Sequence, residues 1–535
     1  MAWMPIRWND RGRAGLVALG LCAALLAADE APAQGGAVVP TPPDRHVSGS
    51  DLPMPSALKP GSGAVSSGTG IQGAGVPSPY RPGSVLLPLD LPTALQLANT
   101  ANPTIAVSRA RVAEAYARLR QAKVLWLPNL EAGPSYYRHD GLLQDTGGNI
   151  IPVNKWNLFA GGGATASVET SEALFAPLIA RRLVDAQSAA ARGVTYDVQL
   201  QVALAYLDLL RVYGALAVNA ESLANAAEIL RLAEAAERNG LGRTPADTNR
   251  ARTEVEQRRQ EQIRLEGDVG VQSARLTQLL LLDPSTQLRP AEQAIVPVAL
   301  VPFEAPLDEL IAAGLMNRPE LAESRSMVAA SLARWRQSRV APLLPRLEAS
   351  YLAGDFGGGI DGSTQRFGGR GDGTAQAVWT LHNFGAGDVA RAQAARAQYS
   401  QANYHVMEIQ AQVGAEVSSA ASIALSRERS LEAAQTGVQQ AEEMWRRLKK
   451  WTVEVGFRAQ QYEAVELLLA EQALNQARLT YLSEVIEFNQ AEFRLYWAMG
   501  QPPLSALPQA ATKTLTVPVL PKPMTPGAAS APVRP

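Results

Sequence analysis

Cysteine is almost missing from this chain: Cys22 is the only one in 535 residues. It sits in an apolar run, Ala14 to Ala28, that follows Arg7, Arg11 and Arg13 and precedes a small-x-small site, Ala31-Pro32-Ala33. That order predicts a signal peptide over 1–33. A membrane anchor is the weaker reading, because the run of about 15 residues falls short of the ~20 needed to span. Cleavage after Ala33 leaves no thiol, which excludes disulfides and thiolate metal sites. A lipoprotein signal wants a small residue before its cysteine, and Leu21 stands there instead, which disfavours lipidation.

Histidine is also scarce, with only His46, His139, His382 and His405. No His/Asp/Glu spacing suggests a metal site and no nucleophile motif stands in a plausible context, so the expectation is no enzyme, no cofactor and no metal. Glycine runs such as Gly368-Gly369-Arg370-Gly371 fall between predicted strands rather than at a strand-to-helix junction, which argues against phosphate binding. An excess of either charge is lacking too. Lys+Arg 49 against Asp+Glu 50 leaves a net charge of -1, with no electrostatic case for nucleic acid.

What is present is a duplication. Leu91-Pro92-Thr93-Ala94-Leu95 leads to Asn102-Pro103 and then to Leu127-Pro128-Asn129-Leu130-Glu131-Ala132. About 216 residues on, Pro306-Leu307-Asp308-Glu309-Leu310 leads to Arg318-Pro319-Glu320-Leu321 and to Leu344-Pro345-Arg346-Leu347-Glu348-Ala349. Each copy reads as a short helix, a helix entered at proline, a strand pair and a very long helical hairpin. The copies occupy 89–301 and 302–501. Segments 34–88 and 502–535 are dense in Pro, Gly, Ala and Ser and bury too little apolar surface to offset their ordering entropy.

The helix signals are specific. Asp90 and Asn102 stand at N-cap positions with Pro92 and Pro103 in the following turns. A hairpin is predicted from about Pro177 to Arg238 and back from Thr244 to about Leu282, and another from Asp388 to Trp451 and back from Arg458 to Met499. Alanine crowds their apolar positions, as at Ala215, Ala217, Ala220, Ala224, Ala226 and Ala227. That favours a closely packed helical wall over a leucine-seamed coiled coil.

Between helices the period falls from 3.6 to 2. Ala164, Ala166 and Val168 alternate with Thr165, Ser167 and Glu169, and Ala375, Ala377 and Trp379 with Thr374, Gln376 and Val378. Glycine-rich loops are expected over 138–163 and 354–373. Four strands leave open edges and cannot close a barrel alone, so a barrel requires strands from several chains. A sheet lying on a soluble core would carry the same alternation.

This arrangement resembles the TolC-type outer-membrane factors, the outer membrane efflux protein family. The resemblance rests on Asn102-Pro103 and Arg318-Pro319-Glu320-Leu321, the strand entries Leu127-Pro128 and Leu344-Pro345, and Phe175 and Asn383-Phe384-Gly385 at the strand exits. Tyr206-Leu207-Asp208-Leu209-Leu210 and the run Ala477-Arg478-Leu479-Thr480-Tyr481-Leu482 through Phe488-Asn489-Gln490-Ala491 to Gly500-Gln501-Pro502 add to it. It implies a fold that is mainly α with a β-barrel portion: a trimeric α/β-barrel channel with four transmembrane strands per chain. It also implies a homotrimer in the outer membrane of a Gram-negative bacterium, contacting outer-membrane lipid, with a periplasmic helical tunnel. Its partners would be a periplasmic adaptor and an inner-membrane pump.

The hairpin tips would then be the tunnel entrance and adaptor-docking turns: Gly240, Leu241, Gly242, Thr244, Pro245 and Asp247 in the first copy, Val455, Gly456, Phe457 and Arg458 in the second. Leu241 and Phe457 would be apolar knobs. Some members carry an aspartate ring just beyond the second tip. The ungapped equivalents here are Tyr462 and Val465, and Glu463 and Glu466 are one residue off, about 100° around a helix. A basic cluster, Arg446, Arg447, Lys449 and Lys450, reads chiefly as a solvated helix surface. Small-molecule efflux is the favoured role, with type I protein secretion or polysaccharide export as alternatives. A structural periplasmic coiled-coil protein is the alternative of another class.

Overall fold

The computed structural model describes residues 85–238, 245–292, 294–302, 304–360, 362–452 and 464–506. In the first copy, helices α1 (Leu91–Ala101) and α2 (Pro103–Lys123) precede strands β2 (Asn129–Gln144) and β3 (Ile150–Glu169). A hairpin of α3 (Thr170–Arg238) and α4 (Pro245–Leu280) follows. The second copy repeats this with α5 (Leu307–Asn317), α6 (Pro319–Val340), β5 (Arg346–Ile360), β6 (Gly368–Val378), α7 (Ala386–Trp451) and α8 (Ala464–Ala498). Two short strands, β1 (Val85–Leu89) and β4 (Thr286–Pro290), pair in parallel.

The helix starts follow from capping chemistry. Asp90 accepts the Thr93 amide at 2.9 Å, and Asn102 accepts the Thr104 amide at 2.9 Å. Asn102 also donates its Nδ2 to the Leu279 carbonyl, tying α2 to the end of α4. Arg318 occupies the matching position in the second copy and makes no cap bond. It crosses instead to Glu416 on α7 at 2.8 Å.

The 69 residues of α3 make a helix about 100 Å long at 1.5 Å per residue. Its most apolar stretch is long and apolar enough to cross a bilayer, yet half of that stretch is buried inside the fold. Val202, Ala203, Tyr206, Leu209 and Leu210 pack there with Leu95 and Ile105 of the preceding helices and with Leu482, Ile486 and Phe493 of α8. It is therefore a core helix shared by both copies. Pro177, expected to open it, lies within it, and the helix runs straight on from β3 at Thr170.

Strands are longer and loops shorter than the sequence suggests. Most of 138–163 and 354–373 is strand, and the first turn shrinks to 145–149, where Asp145 accepts the amides of Gly147 and Asn149. The reason is steric. A Cβ at Gly161 or Gly163 would collide with the carbonyls of Ala353 or Tyr351, and one at Gly354 or Gly358 with those of Ala160 or Trp156. Glycine there lets β3 and β5 crowd together while the ladder satisfies the backbone.

The linker between copies is strapped to α8. Asn489 accepts the Val298 amide and donates to the Val296 carbonyl, while buried Glu492 accepts the amides of Leu300 and Val301. That gives the Phe488-Asn489-Gln490-Ala491 run a physical role.

Candidate channel wall and entrance

The four long strands form one antiparallel sheet in the order β2-β3-β5-β6. Its register places Leu130, Ala164, Tyr351 and Gly373 in one row of a single face, followed by Ala132, Gly162, Ala353 and Gly371. The row before them holds Ala166, Ala349 and Ala375, and a later one holds Tyr136, Leu158 and Gly357. Leu347 to Gly357 covers about 34 Å of strand, or about 24 Å at a 45° tilt, close to the apolar band of an outer-membrane barrel. Asp355 is the one charged residue of β5 on that face. Past the band stand Trp156, at 6.2 Å from Tyr136, and the Arg138–Asp140 ion pair at 2.7 Å.

The other face carries more polar side chains, with Phe159, Leu352 and Phe356 among them. Asn129, Thr165, Ser350 and Thr374 make one row, with Thr165 donating diagonally to Glu131 at 2.9 Å and Ser350 and Thr374 joined at 2.7 Å. Ser167, Glu348 and Gln376 make the next, where Gln376 donates to Glu348 and Arg346 reaches it at 2.6 Å. The crowding glycines 161, 163, 354 and 358 lie on this face.

The strands leave the sheet differently in the two copies. β6 ends in a turn, His382–Gly385, where Asn383 (φ 53°), Phe384 (φ 56°) and Gly385 (φ 88°) are all left-handed. Asp388 holds it by accepting the His382 amide at 3.0 Å and pairing with Arg391. Phe384 projects fully exposed.

At the tips, Gly240, Leu241, Gly242, Thr244, Val455, Gly456, Phe457, Arg458, Tyr462 and Glu463 lie outside the described residues, and Pro245 opens α4. Asp247 sits in the first turn of α4, paired with Arg250 at 3.3 Å. Val465 is half-buried in a groove of about 460 Å³ between α4 and α8, beside Ala246 and Asn249. Glu466, one position on, is exposed. In the basic cluster, Arg446 and Arg447 both engage Glu443, and Lys449 lies 5.4 Å over the Trp445 ring.

Between the tips and the core, a polar seam joins the hairpins. Ser222 of α3 donates to Glu471 of α8 at 2.5 Å, Gln472 of α8 donates to Glu254 of α4 at 2.7 Å, and Arg258 pairs with Glu254 at 2.7 Å. Arg478 of α8 bridges Glu221 of α3 at 2.7 Å and Glu442 of α7 at 2.9 Å. Sequence reasoning did not find Glu471, Ser222 or Glu254. Spacing on one helix says nothing about which polar side chains of a second helix will face them.

Comparison with known proteins agrees with this architecture. The profile of the family described as outer membrane efflux protein matches residues 94–280, which includes β2, β3 and the first hairpin. The match lies within the first repeat. Solved structures share its fold. A membrane protein from Pseudomonas aeruginosa is 17% identical with a TM-score of 0.64, over 77% of this chain and 93% of that one. The outer membrane protein VceC of Vibrio cholerae is 15% identical with a TM-score of 0.62, over 77% and 96%. The open-state MtrE outer membrane channel of Neisseria gonorrhoeae is 15% identical with a TM-score of 0.58, over 77% and 89%. No curated protein matches by sequence. At these identities the likeness is one of fold.

Proposed function

We propose that this chain is the outer-membrane component of a tripartite efflux or export system, a passive homotrimeric conduit from periplasm to exterior. The observation that carries this reading is the four-stranded sheet with an apolar face, a polar face and two uncovered edges. β2 and β6 run in opposite directions, so β6 of one copy and β2 of the next would pair antiparallel. Three copies then close a twelve-stranded barrel with no free edge. The apolar face meets outer-membrane lipid and the polar face lines the lumen, while the hairpins form the periplasmic tunnel wall.

The channel does no chemistry and binds no cofactor. A periplasmic adaptor docks at the hairpin tips, whose sequences Gly240-Leu241-Gly242 and Val455-Gly456-Phe457 combine glycines suited to a tight reversal with an apolar residue suited to adaptor packing. An inner-membrane pump supplies the energy and the cargo, which we assign to small molecules.

The mass of the unboiled, detergent-extracted protein from isolated outer membranes tests the reading. A species near three times the chain mass, collapsing to monomer on boiling, supports the shared barrel. A monomer released from spheroplasts without detergent overturns it.

A further inference from the structure

The seam between the hairpins is short of hydrogen-bond donors. Glu471 is 1% exposed, and Ser222 serves only its Oε1. Its Oε2 has no partner, and neither do Asn475 Oδ1, one turn along α8, and Asn219 Oδ1 on α3, all three sealed from solvent. Asn219 spends its own donor on the Arg258 carbonyl at 3.0 Å. Three buried acceptor oxygens without hydrogens are costly, at about 1–3 kcal/mol each and more for a charged group.

Two sources of relief stand nearby, and neither reaches the glutamate. A cavity of about 510 Å³ lies among α3, α4 and α8, and its wall includes Asn219 and Asn475. It is roomy and polar enough for water to serve the two amides. Glu471 is not part of that wall.

The charged groups packed around Glu471 are committed elsewhere. From α4, Arg258 is paired with Glu254, which repels a second carboxylate. From α8, Arg478 is shared between Glu221 of α3 and Glu442 of α7. Burial dominates the balance and raises the Glu471 carboxyl above its ordinary range, against the Ser222 hydrogen bond and the two more distant arginines.

We propose that Glu471 acts as a protonated carboxylic acid whose proton clasps the two helical hairpins together and whose loss as pH rises loosens them. A proton on Oε2 turns an orphaned acceptor into a donor and removes a charge from the seam. The carboxyl holds its proton more tightly in the folded chain than in the unfolded one. Its stabilising contribution is therefore complete below the ordinary glutamate value of about 4.3 and is lost as pH rises through the higher folded value. The clasp is firm in acid and slackens as pH rises. This goes beyond the channel reading and does not depend on it.

The test uses the full chain in detergent, as wild type and as Glu471→Gln, which keeps the shape and supplies donors at every pH. Infrared difference spectra across a pH titration are expected to show a protonated-carboxyl C=O band that disappears as pH rises and is missing from Glu471→Gln. The thermal midpoint of the wild type is expected to fall as pH rises above the ordinary glutamate range along a component that the variant lacks. This infrared arm requires neither trimer nor conductance, so failure of the channel reading would leave it intact. A spectrum with no band assignable to Glu471, or parallel pH profiles for the two proteins, overturns the proposal. Either would mean that the carboxylate is ionised and served by water or by an adventitious ion.

Discussion

The guanidinium of Arg318 lies over the ring of Trp497, 4.1 Å from its centroid, and binds Glu320 at 3.0 Å and Glu416 at 2.8 Å. Trp497 in turn donates its indole N–H to Asp197 at 3.0 Å. One side chain, 5% exposed, thus gathers the α5–α6 corner, α7 and the end of α8, and Trp497 extends the set to α3. Arginine suits this place because its planar fork can stack on an indole while meeting carboxylates at its edge.

Arg318→Ala is expected to cost about 3 kcal/mol, because it leaves partly buried carboxylates without their cation. Arg318→Lys should recover the charge but not the stacking. Thermal melts of the detergent-solubilised protein check this ranking. Equal stability of Arg318→Lys and wild type would show that the ring contact contributes nothing.

The two faces of the sheet predict opposite responses to a charge. Ala353→Arg, on the apolar face, should cost about 2–4 kcal/mol at the membrane midplane and sharply reduce outer-membrane insertion. Thr374→Arg, on the polar face, should insert normally. Insertion is read as the heat-modifiable fraction in outer-membrane preparations, and equal insertion of both variants would refute the assignment of faces.

Glycine at 163 and at 133 has different reasons to be there. A Cβ at Gly163 meets the Tyr351 carbonyl and Leu352, whereas one at Gly133 meets nothing within 4 Å. Gly163→Val should therefore force β3 and β5 apart, at about 1–3 kcal/mol or more, and reduce assembly. Gly133→Val is the matched control and should assemble as wild type.

Glu492→Ala would strip acceptors from the buried amides of Leu300 and Val301. The expected penalty is about 3 kcal/mol, and the linker between repeats should become open to protease. Limited proteolysis followed by mass mapping checks it. An unchanged cleavage pattern around 294–302 would show that the strap is dispensable.

The hairpin tips are tested through coupling rather than folding. Gly456→Val should impair export with its adaptor and pump while trimer yield stays normal. Normal export at normal protein levels would remove the docking role from that tip.

The sequence by itself determined the duplication, the caps at Asp90 and Asn102, the long hairpins and the alternation of faces. All of these are local: a cap reaches three residues, a helix face repeats every 3.6 and a strand face every two. It misjudged the glycine-rich stretches 138–163 and 354–373, because glycine breaks a strand by local propensity yet is required where a neighbouring strand comes too close for a Cβ. Tertiary structure alone decided that close approach, the parallel pairing of β1 with β4, the strap from Asn489 and Glu492, and the meeting of Arg318 with Trp497. It also decided that Glu471 would face Ser222 from 249 residues away with an oxygen left unserved. Such contacts depend on how two long helices are rotated against each other, and that rotation is set by the packing of the whole wall.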